Sequence, residues 1–217
     1  MLKLLNTVGT GSITITASGF HDCKSYCMDV NTINNAVVKN NVFYNSRIYH
    51  VRALNLQNFT FSNNVMIGAT KRPTAPNPKI DELIACYATY DDISNNGNHI
   101  TNNLCQGSAG HGFIIPYIPC DSLASPPYAN NTAGSTPIGF IFAKVPGTCM
   151  AVTGIRAYAC NIGQIAGSFG MTSLTFDNFM VTDSGRGITL KFGYEGDNLT
   201  AFVKNSYISA VSRLSCP

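Results

Sequence analysis

Apolar and polar residues alternate in short runs along this chain, and the runs are separated by turns rich in Asn and Gly. One phrase recurs most clearly. Val37-Val38-Lys39-Asn40-Asn41-Val42-Phe43 and Phe59-Thr60-Phe61-Ser62-Asn63-Asn64-Val65-Met66 each read as an alternating strand, an Asn pair and an apolar residue. The two copies lie 23 residues apart (65 − 42). Weaker copies occur at Asn102-Asn103-Leu104, Asn130-Asn131-Thr132, Asp177-Asn178-Phe179 and Asn205-Ser206-Tyr207. Ser18-Gly19-Phe20 and Arg156-Ala157-Tyr158 keep the strand and the aromatic without the pair. The residues that follow the turn are 20, 42, 65, 104, 132, 158, 179 and 207, which predicts about eight coils.

A period of this size is the mark of a solenoid, and short strands within it specify a parallel β-helix. No amphipathic helix competes with that reading, so the chain is expected to be an all-β single domain over residues 1–217. One step, from 65 to 104, is too long. It contains Lys71 to Lys79 with Pro73, Pro76 and Pro78, which have no N–H to give a ladder and so predict a loop bulging from one coil. Residues 116–127 hold four prolines and form a second expected excursion.

The Asn pairs have a physical task in such a coil. Asn tolerates the left-handed conformation that a sharp corner demands, and stacked Asn amides can bond to one another along the axis. Asn40, Asn41, Asn63, Asn64, Asn102, Asn103, Asn130, Asn131 and Asn178 are therefore assigned to turns and an axial ladder. Most aromatics are expected inside, since Phe20, Phe59, Phe61, Phe113, Phe140, Phe142, Phe176 and Phe179 all fall in strand phrases.

Composition narrows the functional classes. Only 12% of residues are charged and the net charge is +3, with Lys71-Arg72 the sole adjacent basic pair, so a nucleic-acid partner is not expected. No apolar run approaches the ~20 residues of a membrane-spanning helix. The first residues lack the apolar core of a secretion signal, and neither end reads as a solenoid cap. The chain is accordingly expected to be a segment of a larger ectodomain, attached to any membrane only through other parts of that protein. Its expected partners are protein subunits or domains stacking on the open ends, with surface glycans as a further class.

Eight cysteines without zinc-ligand spacing fit disulfides in an oxidising compartment. Their connectivity stays open, but Cys23 with Cys27 and Cys120 with Cys149 are candidate pairs. Asn58, Asn130 and Asn198 begin N-glycosylation sequons. Both features point outside the cytosol.

Signals for catalysis are sparse. Asp91-Asp92 is the only adjacent pair of aspartates, and strand neighbours face opposite sides. His21, Asp22 and Asp29 gather near one corner, while His99 and His111 are expected on the same coil. The segment Asp183-Ser184-Gly185-Arg186-Gly187 reads as a turn, with its glycines supplying positive φ. No nucleotide loop, nucleophile elbow, metal set or cofactor motif is present, and no catalytic residue is assigned.

The series Ala133-Gly134-Ser135, Gly139-Phe140, Gly147-Thr148-Cys149, Gly154-Ile155-Arg156-Ala157-Tyr158 and Asp183-Ser184-Gly185-Arg186-Gly187-Ile188 resembles the parallel β-helix region of fibrocystin and fibrocystin-L. It is also similar to that of the related hyaluronan-degrading surface proteins. The resemblance covers roughly residues 12 to 192. It implies a right-handed β-helix in the ectodomain of a large extracellular glycoprotein, often ciliary or flagellar. The resulting expectation is a non-catalytic structural or interaction module. The alternative is a β-helix protein that binds or degrades polysaccharide or hyaluronan.

Overall fold

The computed structural model describes residues 1–5, 12–70, 84–89, 97–115, 127–142, 149–168, 173–192 and 200–210. Over these residues the chain is an all-β solenoid whose strands pair in parallel. Each circuit passes through three faces.

Face I is an eight-stranded sheet. Its strands, numbered with all others in chain order, are β3 (Gly19–Cys23), β5 (Val42–Arg47), β7 (Val65–Thr70), β10 (Leu104–Gln106), β13 (Thr132–Gly134), β16 (Arg156–Tyr158), β19 (Met180–Ser184) and β22 (Tyr207–Ala210). Faces II and III belong to a 14-stranded sheet and are joined where β4 (Met28–Lys39) and β6 (Tyr49–Ser62) run through the corner between them. On face II these long strands are flanked by β1 (Leu2–Leu5) on one side and by β8 (Ala85–Thr89), β11 (His111–Ile115), β14 (Ile138–Phe142), β17 (Ile162–Ser168) and β20 (Ile188–Phe192) on the other. On face III the flanking strands are β2 (Ile13–Thr16), then β9 (His99–Thr101), β12 (Tyr128–Ala129), β15 (Cys149–Thr153), β18 (Ser173–Asp177) and β21 (Thr200–Lys204).

The solenoid makes about six turns rather than the eight expected. Eight phrases mark eight rungs on face I, and among the described residues the two outermost, β3 and β22, have a neighbour on one side only, leaving six enclosed rungs (8 − 2). Three of the expected positions also shift. The residue aligned with Val42 is Gly19, not Phe20, and the rung members at 158 and 179 are replaced by Arg156 and Met180. Those three are copies whose Asn pair is missing or incomplete, so the marker that sets the phase was weakest there.

Inward positions line up from rung to rung. On face III, Ile15, Val38, Phe61, Ile100 and Tyr128 stack in successive coils, followed by Val152, Phe176 and Val203. An aromatic spine crosses from face to face: Phe20–Phe43 at 4.9 Å, Phe61–Tyr87 at 5.1 Å and Phe113–Phe140 at 5.1 Å between ring centroids. Offset ring contacts of this kind add to the apolar area they bury. Phe59, Phe61, Phe113, Phe140, Phe142, Phe176 and Phe179 are all buried, and Phe20 is half-buried at the first rung. Apart from Pro127, both Pro-rich excursions lie outside the described residues.

Candidate functional site

All three corners use left-handed residues: the corner between faces II and III carries Thr32 and Asn35 in β4 and Asn55 and Asn58 in β6, and each of the other two is built from one such residue per coil. Between faces III and I the series is Ala17, Asn40, Asn63, Asn102, Asn130, Gly154, Asn178 and Asn205, with φ between 48° and 65°. The first Asn of each pair therefore takes the strained conformation. The second turns inward.

Asn41, Asn64, Asn103 and Asn131 are at most 1% exposed and form a continuous amide ladder. Asn41 Nδ2 donates to Asn64 Oδ1 at 3.0 Å, Asn64 Nδ2 to Asn103 Oδ1 at 3.1 Å and Asn103 Nδ2 to Asn131 Oδ1 at 3.0 Å. The same oxygens accept the backbone N–H of the preceding rung, and the second amide proton of Asn64 goes to Val38 O at 3.0 Å. A buried amide with all its groups bonded carries little desolvation penalty. Beyond Asn131 the ladder gives way to apolar packing, since the residues that follow the corner positions Gly154 and Asn178 are the buried Ile155 and Phe179.

The corner between faces I and II was not read as a ladder. It runs through Asp22, Asn45, Gly68, Gly107, Ser135, Ala159 and Asp183, all with positive φ. Asp183 itself holds φ 51°; Gly185 and Gly187 are not among the positive-φ residues, which corrects the assignment of that conformation to the glycines. The signal was weak because seven positions are filled by five residue types.

The acidic and histidine candidates do not converge. His21 Nδ1 lies 3.0 Å from Asp22 Oδ2, and Asn45 Nδ2 bonds Asp22 Oδ1 at 2.6 Å; these bonds, that to His21 foremost, hold the Asp22 carboxyl below its usual range at an exposed corner. Asp29 instead accepts a two-pronged bond from Arg52 at 2.9 and 2.8 Å, which raises the guanidinium pKa. Arg52 also sits 4.7 Å from the Tyr26 ring. His99 is on face III and His111 on face II. Asp91 and Asp92 lie outside the described residues. Among the described residues no three His, Cys, Asp or Glu side chains gather as a metal set, and no helix is long and apolar enough to cross a membrane.

Cys23 and Cys27 are disulfide-bonded across the corner between faces I and II, with Cα atoms 5.1 Å apart. Cys149 is also disulfide-bonded, whereas Cys120 lies outside the described residues. The Cys86–Cys105 bond joins β8 to β10 inside the core and was not legible, because nothing local marks two residues 19 apart as facing neighbours. Cys160 is a buried free thiol beside Thr136.

Asn58 and Asn130 both sit at exposed corners with positive φ, so their side chains reach solvent; Asn198 lies outside the described residues. Asn58 Nδ2 also donates to Asn34 and Asn35 one coil away. At the last described rungs, Val203 and Ile208 are 51% and 44% exposed, although they continue the columns of Phe176 and Val181, which are fully buried. Comparison with known proteins gave no matching family model, curated protein or solved structure.

Proposed function

We propose that this chain is a non-catalytic structural and interaction module of an extracellular glycoprotein assembly, of the kind found at cell, ciliary or flagellar surfaces. The observation that carries the reading is the exposure of Val203 and Ile208. They occupy positions that every enclosed rung fills with buried apolar groups, so a protein element stacking on this rung would remove apolar surface and pair the edges of β21 and β22.

Further support comes from the use of side chains. The stacked rings of Phe20–Phe43, Phe61–Tyr87 and Phe113–Phe140 belong to the interior, and the exposed Tyr44, Phe202 and Tyr207 lie on three different strands, which favours a scaffold over a sugar-binding face. The disulfides favour an oxidising compartment. Exposed sequons at Asn58 and Asn130, and the fibrocystin-like order of motifs, fit a surface glycoprotein.

The test is peptide mass spectrometry of natively purified protein without reduction. Glycan on Asn58, Asn130 or Asn198 together with linked cysteines is the expected result. Bare asparagines with eight free thiols would remove the extracellular reading and return the acidic residues to consideration as a catalytic set.

A further inference from the structure

The interior at the corner between faces I and II holds one imidazole between two disulfides. Met28 pairs with Val51 and Val51 with Tyr87, so the residues just before them, Cys27, His50 and Cys86, occupy successive rungs. His50 is fully buried, and its Nδ1 lies 4.0 Å from Cys27 Sγ. Cys23–Cys27 lies on one side of it and Cys86–Cys105 on the other.

The two bonds differ in what surrounds them. Cys86 and Cys105 are both inaccessible to solvent, in strands with neighbours on each side. Cys23 is 8% exposed and ends β3, which among the described residues is the outermost strand of face I and pairs with β5 alone. Cys23 is therefore nearer to solvent than either Cys86 or Cys105, and a thiol reaches it by displacing only the first coil. Reaching Cys86–Cys105 requires several rungs to separate.

We propose that Cys23–Cys27 is a reducible latch on the first coil, opened by a low-molecular-weight thiol while Cys86–Cys105 stays closed. A thiolate attacks Cys23 Sγ, forming a mixed disulfide and expelling Cys27 as thiolate, beside which the His50 Nδ1–H can donate a hydrogen bond. A second thiolate attacks the mixed disulfide, releasing the external disulfide and Cys23 thiolate. Both cysteines then take protons from water. Two thiols are oxidised and one protein disulfide is reduced.

The coil behind the latch is held lightly. Its inward residues Leu2, Leu4, Ile13, Ile15 and Phe20 are only partly buried, so releasing them forfeits less apolar contact than releasing any enclosed rung. Opening the latch frees β3 to move away from β5 and exposes the buried ring of Phe43. This device does not depend on the proposed scaffold role.

The test uses the full oxidised chain and dithiothreitol as the probe. Samples are trapped with N-ethylmaleimide, mapped by peptide mass spectrometry and followed in parallel by far-ultraviolet circular dichroism. Cys23 and Cys27 should label at a dithiothreitol concentration at least about tenfold below that needed for Cys86 and Cys105, with the β signal unchanged. Amide exchange in Gly19–Cys23 should accelerate at the same step, while that in β11 should not. Joint opening of both bonds, or labelling only as the β signal disappears, would overturn the proposal. A C23S/C27S variant should fold and show the fast β3 exchange without reductant. A variant that does not fold, or that exchanges as slowly as the oxidised chain, would also overturn it, because a latch must be both dispensable and restraining.

Discussion

Asn63 and Asn64 are adjacent and chemically identical, yet the fold asks opposite things of them. Asn63 is exposed at φ 54°, where Gly would serve as well. Asn64 is fully buried and satisfies Asn41 N–H, Val38 C=O and Asn103 Oδ1 at once. Asn64→Ala should therefore cost about 3 kcal/mol in urea unfolding, since it orphans several buried groups, whereas Asn63→Gly should change stability by less than about 0.5 kcal/mol. Equal losses at the two positions would show that the ladder does not bear the load assigned to it. His50 gives the residue scale its pH dependence. Burial lowers its pKa from 6.5 to about 3, against a weaker upward pull from a backbone hydrogen bond with Ile67. Because the folded value is the depressed one, the unfolded chain takes the proton first on acidification. The stability held by neutral His50 is complete above about 6.5 and is lost as pH falls toward about 3, with a slope approaching 1.4 kcal/mol per pH unit, as an order-of-magnitude figure. Unfolding midpoints measured between about pH 7 and 4 should fall, and His50→Leu should flatten that decline.

Among the structural elements, the corner between faces I and II uses two solutions to one packing problem. In the first half, disulfides bridge the faces across it. In the second half the faces close together over glycine. A side chain at Gly112 would meet the Gly139 carbonyl and the Ala133 methyl, and one at Gly139 would meet the Gly163 carbonyl and the Ala157 methyl. The Gly112–Ala133 contact is one coil on from Cys86–Cys105 in the same two columns, since Cys105 pairs with Ala133. The covalent bond and the close contact thus occupy equivalent places. Gly112→Ala should cost about 3 kcal/mol, because the obstacle is backbone and cannot swing aside. A methyl at Gly107 would meet only the Gly68 nitrogen at an ordinary 3.9 Å, leaving the φ of +70° to overcome, so about 1 kcal/mol is expected. Chemical denaturation of the two variants separates steric from conformational cost, and a Gly107 variant as damaged as the Gly112 one would contradict the close-packing account.

At the scale of the whole molecule, each rung touches only the rungs beside it, so stability is a sum of neighbour contacts rather than the property of one globular core. Enclosed rungs have two neighbours; β3 and β22 have one. Amide exchange should accordingly be slowest in β10 and β13, at the middle of the face I ladder, and fastest at β22, where Tyr207 and Ile208 are exposed. Uniform protection along the stack would mean that the molecule opens as a single unit. Binding of a stacking partner to the last rung should slow exchange in β21 and β22 before it affects any other strand.

By itself, the sequence determined where the chain turns and which residues face inward. Alternation is a property of strands and left-handed tolerance a property of Asn and Gly, so both are legible locally. Val42 and Val65 were placed in adjacent rungs because the Asn pair sets a phase that no intervening loop disturbs. Where the pair was missing or incomplete, at Gly19, Arg156 and Met180, the phase drifted by one or two residues. Only the tertiary structure decided which distant residues share a rung. Segments of unequal length separate the coils, and pairing across them depends on three-dimensional register rather than on spacing. That is why the Asn ladder could be read from the chain, while the Cys86–Cys105 bond, the glycine column and the His50 position between two disulfides could not.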